Sequence, residues 1–149
     1  MESKKVKIGI SAKQYDDLAP KTEEPVVMNL LCEADMTDDG DNIIIEYEEF
    51  LVDGGGATQT KLIFNKNTPH TVSLMRTGLV EMACTFAKGE RFNCAYRMSD
   101  GIGLDFCMVT KELKNKLSYD GGSIFIGYTV EVRGLVVSRN EYRLNVIKR

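Results

Sequence analysis

Apolar and polar residues alternate one for one along most of the chain. Val6, Ile8 and Ile10 alternate with Lys5, Lys7, Gly9 and Ser11, and Met28, Leu30, Cys32, Ala34 and Met36 repeat the pattern. Later sets are Val80 to Phe86, Phe92 to Met98, Ile102 to Met108, Ile124 to Val132 and Tyr142 to Val146, each at every second residue. Successive side chains of a strand point to opposite faces, so each set gathers its apolar members on one side. No segment of helical length carries a sustained 3.6 period. The pattern predicts an all-β chain. Lys111 to Tyr119 departs from it, because Leu113 and Leu117 are spaced as in a helical turn.

The turns predict how the strands join. Asp39-Gly40 reads as a two-residue hairpin turn that sets Met36 opposite Ile43, Ala34 opposite Ile45 and Cys32 opposite Tyr47. Ser99-Asp100-Gly101 reads as a three-residue loop with Met98 opposite Ile102, Tyr96 opposite Leu104 and Cys94 opposite Phe106. An odd loop at Lys88-Gly89-Glu90 pairs Phe86 with Phe92, Cys84 with Cys94 and Met82 with Tyr96, and places Glu81 beside Arg97 on the other face. Further breaks fall at Asp53 to Gly56, Asn65 to Pro69, Thr77-Gly78 and Asp120 to Gly122. Short turns between neighbours make an antiparallel up-and-down meander of about eight to ten strands. Closure into a β-barrel removes the sheet edges, and a two-sheet sandwich is the alternative.

Composition narrows the field. The 149 residues fit one domain, spanning 1–149, large enough to fold without a disulfide or metal. A net charge of -3 argues against a nucleic-acid partner. No apolar run reaches the roughly 18 residues of a membrane span. The N-terminus is basic and alternating, unlike a secretory signal, so the expected location is cytoplasmic. Four cysteines without Cys-x-x-Cys spacing fit reduced thiols there, with Cys32, Cys84 and Cys94 as small core residues.

Candidate chemistry is sparse. Asp35 to Glu46 has the look of a calcium loop, but counting from Asp35 puts Asn42 at the apolar eighth position, and counting from Asp38 puts Ile43 where the sixth-position Gly is required. His70, the single histidine, follows Pro69 in a predicted loop without partners for a triad or zinc site. Gly54-Gly55-Gly56 does not lead into Gly-Lys-Ser/Thr, and Lys111, Lys114 and Lys116 read as a solvated face. No nucleophile-base pair, metal set or carboxylate pair stands at a recognisable spacing, so neither an enzyme nor a cofactor or metal is expected.

Arg76 is the residue to watch. An odd turn at Thr77-Gly78-Leu79 puts it opposite Val80, on the face of Leu74 and Met82, whereas a two-residue turn puts it outside. An inward guanidinium calls for an anion or hydrogen-bond acceptors. Tyr47, Tyr96 and Tyr128 share the apolar faces of their strands, and their hydroxyls could complete such a site.

The run Met75-Arg76-Thr77-Gly78-Leu79-Val80-Glu81-Met82, continuing through Phe86 to Gly89, resembles the YwiB-like family of bacterial proteins of unknown function. Tyr96-Arg97-Met98, Leu104-Asp105-Phe106 and Gly122 to Tyr128 also look like its later strands. The stretch from Tyr15 to Glu24 and the tip from Arg133 to Asn140 depart from that pattern. The resemblance implies a calycin-type barrel, similar to lipocalins, and transfers no catalytic residue. Two functions are in view. One is a barrel that binds a small apolar or amphipathic, anionic molecule in its lumen. The other is a filled structural barrel that meets a partner or pairs as a homodimer.

Overall fold

The computed structural model describes residues 2–16, 24–50, 57–78, 80–98, 101 and 103–147. Alternating residues form β1 (Glu2–Asp16), β2 (Val26–Asp38), β3 (Asn42–Phe50), β4 (Ala57–Asn65) and β5 (Thr71–Gly78). They are followed by β6 (Val80–Ala87), β7 (Arg91–Met98), β8 (Gly103–Ser118), β9 (Gly121–Val132) and β10 (Leu135–Ile147). Each strand pairs antiparallel with its sequence neighbours, and β1 also pairs with β10, so the sheet closes. The architecture is a ten-stranded, up-and-down, calycin-like barrel.

One face of every strand fills the interior. Ile8, Met36, Ile45, Leu62, Val72, Ile126 and Leu144 are essentially sealed from solvent. Burial of this kind contributes roughly 1.5–3 kcal/mol per large side chain and is the main term holding the barrel shut. Thr58, Thr60, Thr110 and Ser138 occupy inward positions among these apolar residues. Toward the rims the inward positions open to solvent. Phe92 and Leu104, expected on the buried face, are exposed, as are Val26 and Met28.

Two bulges explain where the alternation breaks. Between Thr110 and Glu112 the register shifts, leaving Lys111 as an extra residue. The inward face then passes from even to odd positions, so Leu113 is buried with Leu117 packed beside the core. Their helix-like spacing is two strand steps, and the expected helical turn is part of β8. A second shift lies between Val136 and Ser138, just after a tight turn at Arg133 and Gly134. Both turn residues have positive φ, 54° and 81°, as a two-residue hairpin turn requires.

The turn between β2 and β3 is longer than Asp39-Gly40 alone. Asp38 faces Ile43 and Met36 faces Ile45, two residues away from the expected register and with the same faces inward. The Asp39 carboxylate accepts hydrogen bonds from the Asp41 and Asn42 amides, at 3.0 and 2.7 Å, and Gly40 turns at φ 99°. These bonds fix the three-residue connection from Asp39 to Asp41. The β7–β8 register is as expected, with Tyr96 opposite Leu104 and Cys94 opposite Phe106, and Ile102 lies outside the described residues. In the β6–β7 ladder Met82 faces Tyr96 and Glu81 faces Arg97, again as expected. That ladder ends at Ala83↔Ala95, short of Phe86 and Phe92. Beyond it the hairpin tip bonds sideways to β8, through Gly89 N–H to the Thr110 carbonyl at 2.8 Å.

Candidate functional site in the barrel lumen

The register places polar groups in one row across the inner wall. Tyr47 on β3 faces Thr60 on β4, Thr60 faces Arg76 on β5, Arg76 faces Met82 on β6, and Met82 faces Tyr96 on β7. Arg76 thus has Met82 opposite it rather than Val80, a shift of two residues that keeps it on the face of Leu74. Thr60 is fully buried, and its hydroxyl has no hydrogen-bond partner among the described residues.

Arg76 meets Tyr128 across the lumen. Both line one small cavity of about 70 Å³, together with Tyr142 and apolar groups that include Leu74, Phe86 and Ile126. The ring of Phe86 packs at 5.0 Å from that of Tyr128. Desolvation raises the Tyr128 phenol to about 12, although the Arg76 charge pulls it the other way. It is therefore a neutral hydrogen-bond donor at any ordinary pH.

The four site residues expected from sequence fall into two groups. Arg76 and Tyr128 share the cavity. Tyr47 is buried beside it, its hydroxyl 3.5 Å from that of Tyr142. Tyr96 stands in the same row but outside the cavity lining. Tyr142, not singled out from sequence, completes the lining; it belongs to an alternating apolar set and carried no separate signal.

Next to Arg76 lies a group of sulfur atoms. The buried thiols of Cys84 and Cys94 interact with each other, and Cys94 Sγ donates to Met108 Sδ at 3.5 Å. That interaction, followed by burial, pushes the Cys84 thiol up, and its effect on Cys94 is to lower that thiol. Elsewhere the candidate motifs have ordinary settings. His70 is exposed in the turn between β4 and β5. Asp38 is bridged to Lys66 at 2.8 Å, and that hydrogen bond, with one from the Gly40 amide, holds its carboxyl below the usual range. No helix among the described residues is long and apolar enough to cross a membrane.

The family model for a domain of unknown function, DUF1934, matches residues 10–144. The chain belongs to the DUF1934 family. The crystal structure of ywiB protein from Bacillus subtilis superposes on this DUF1934 domain with a TM-score of 0.78 at 19% identity, covering 98% of this chain and 94% of that one. At that identity the likeness shows the fold. No match was found among curated proteins.

Proposed function

We propose that the barrel binds a small anionic molecule in its lumen, with the head group held by Arg76. The observation that carries this reading is a guanidinium and a neutral tyrosine, Tyr128, facing one internal cavity, with a buried threonine hydroxyl, Thr60, opposite Arg76 and without a partner among the described residues. A buried, unsatisfied hydroxyl costs about 1–3 kcal/mol, and a ligand oxygen would remove that cost. Size limits the guest. Drug-sized ligands occupy about 300–1,000 Å³, whereas this cavity measures about 70 Å³. A short-chain carboxylate fits such a space, and a long-chain fatty acid does not.

The same small volume favours a second reading, a filled barrel that acts through its outer surface on a partner or a second copy. Calorimetric titration with carboxylates of two to eight carbons separates the two. Lumen binding predicts saturable heat with the wild type, its loss in Arg76→Ala and its weakening in Thr60→Val. Thermal melts of each variant check the fold. Absence of binding by every carboxylate, or equal affinity in wild type and Arg76→Ala, rejects lumen binding and leaves the filled barrel.

A further inference from the structure

The sulfur group in the wall supports a function beyond anion binding. We propose that Cys84 Sγ, Cys94 Sγ and Met108 Sδ form a three-sulfur site for a soft monovalent cation, Cu(I). The three side chains come from three successive strands, β6, β7 and β8; Cys94 Sγ lies 3.5 Å from Met108 Sδ, and Cys84 interacts with Cys94. Cysteines 84 and 94 and Met108 are all buried, so a bound ion would be shielded from water and dioxygen.

The donor set selects the metal. Thiolate and thioether sulfur are soft ligands that suit Cu(I), which is content with two or three of them. Zinc requires four ligands and takes them from thiolate, imidazole and carboxylate. Among the described residues no three His, Cys, Asp or Glu side chains gather to supply such a set.

Charge and strand pairing are consistent with the site. Binding releases two protons: Cu(I) and two thiols give a bis-thiolate complex of charge -1 and two H⁺. The Arg76 guanidinium acts electrostatically on Cys84, favouring its thiolate, and balances that charge inside the barrel. Both cysteines lie one residue beyond the end of the β6–β7 ladder at Ala83↔Ala95, where no ladder hydrogen bonds hold the two strands together. The copper reading shares Arg76 and the cavity-lining Met108 with the carboxylate reading, but it rests on the sulfur atoms, and its test uses copper without any carboxylate.

The test is anaerobic competition between the whole protein and the Cu(I)–bicinchoninate complex, using a Cys32→Ser, Cys107→Ser variant. This variant keeps Cys84 and Cys94 as its two thiols, and their count under denaturing conditions confirms that both are reduced. We expect one equivalent of Cu(I) to be withdrawn, with an X-ray absorption spectrum showing sulfur ligands alone and a raised melting temperature. Met108→Leu, which conserves volume, should weaken binding by about tenfold or more, since even outer-shell groups are worth that much at metal sites. Failure of the two-thiol variant to withdraw copper overturns the proposal. So does undiminished affinity in Met108→Leu, or equal withdrawal by a folded Cys84→Ser, Cys94→Ser protein.

Discussion

At the scale of single residues, inward-facing polar groups define the lumen. Tyr128 is the clearest, because its ionisation is coupled to folding. Its phenol ionises near 10 in an unfolded chain and is pushed up to about 12 in the barrel. Below pH 10 both states hold the proton, and stability does not depend on this group. Between about pH 10 and 12 the unfolded state loses the proton first, so the native state is progressively disfavoured. The full gap corresponds to about 2–3 kcal/mol. Urea unfolding at several alkaline pH values should therefore show a decline that is shallower in Tyr128→Phe. Identical slopes for the two proteins would place the Tyr128 hydroxyl in water.

At the scale of strands, the barrel wall is uneven. β1 and β2 pair from Glu2↔Asp38 through Gln14↔Val26, whereas β2 and β3 pair only from Asp35↔Glu46 to Asp38↔Ile43. Among the described residues, the stretch from Val26 to Ala34 thus has β1 on one side and no paired strand on the other, and Val27 and Leu31 are exposed along it. Amides in an antiparallel strand point alternately to its two neighbours. Hydrogen exchange followed by NMR should show alternating protection from Val26 to Ala34, with every second amide exchanging fast. Uniform protection across this stretch would mean that the gap is closed in solution.

Strand faces were legible in the sequence because burial imposes a strict period of two, and a two-residue error in register leaves the face unchanged. The odd-turn alternative gave Arg76 its inward face for that reason, although its partner is Met82 and not Val80, while the two-residue alternative put it outside. Register was less legible. It depends on side-chain bonds within a turn, such as those of Asp39, that composition does not reveal. Bulges hid a further part, since the extra residue at Lys111 turned a strand into an apparent helical spacing. The β4 strand was obscured by chemistry, because Thr58 and Thr60 sit where apolar residues are expected. Of the candidate site, the Arg76–Tyr128 pairing required only correct faces. Tyr142 required knowing which strands meet across the lumen.

At the scale of the whole molecule, stability depends on closure. β10 is paired along both sides, with β1 from Lys7↔Ile147 to Asp16↔Ser138 and with β9 over most of its length. Removing it would expose two long edges and the inner face lined by Ile8 and Ile126. A chain ending at Val132 should therefore lack cooperative thermal unfolding and aggregate, instead of settling into a nine-stranded barrel. Recovery of a monomer with a sharp melting transition would show that closure is dispensable.

Pairing of the first strand with the last also bears on how the chain is made. In the finished barrel Ile8 faces Val146 across a hydrogen-bonded seam. During synthesis at about 5–20 residues per second, the edge of β1 must wait about seven to thirty seconds for its partner to emerge. Throughout that interval the nascent chain carries an open strand edge that could pair with other chains. The alternating lysines of β1, Lys5, Lys7 and Lys13, lie on its outer, exposed face. Their charge repels neighbouring copies and discourages edge-to-edge association during that wait.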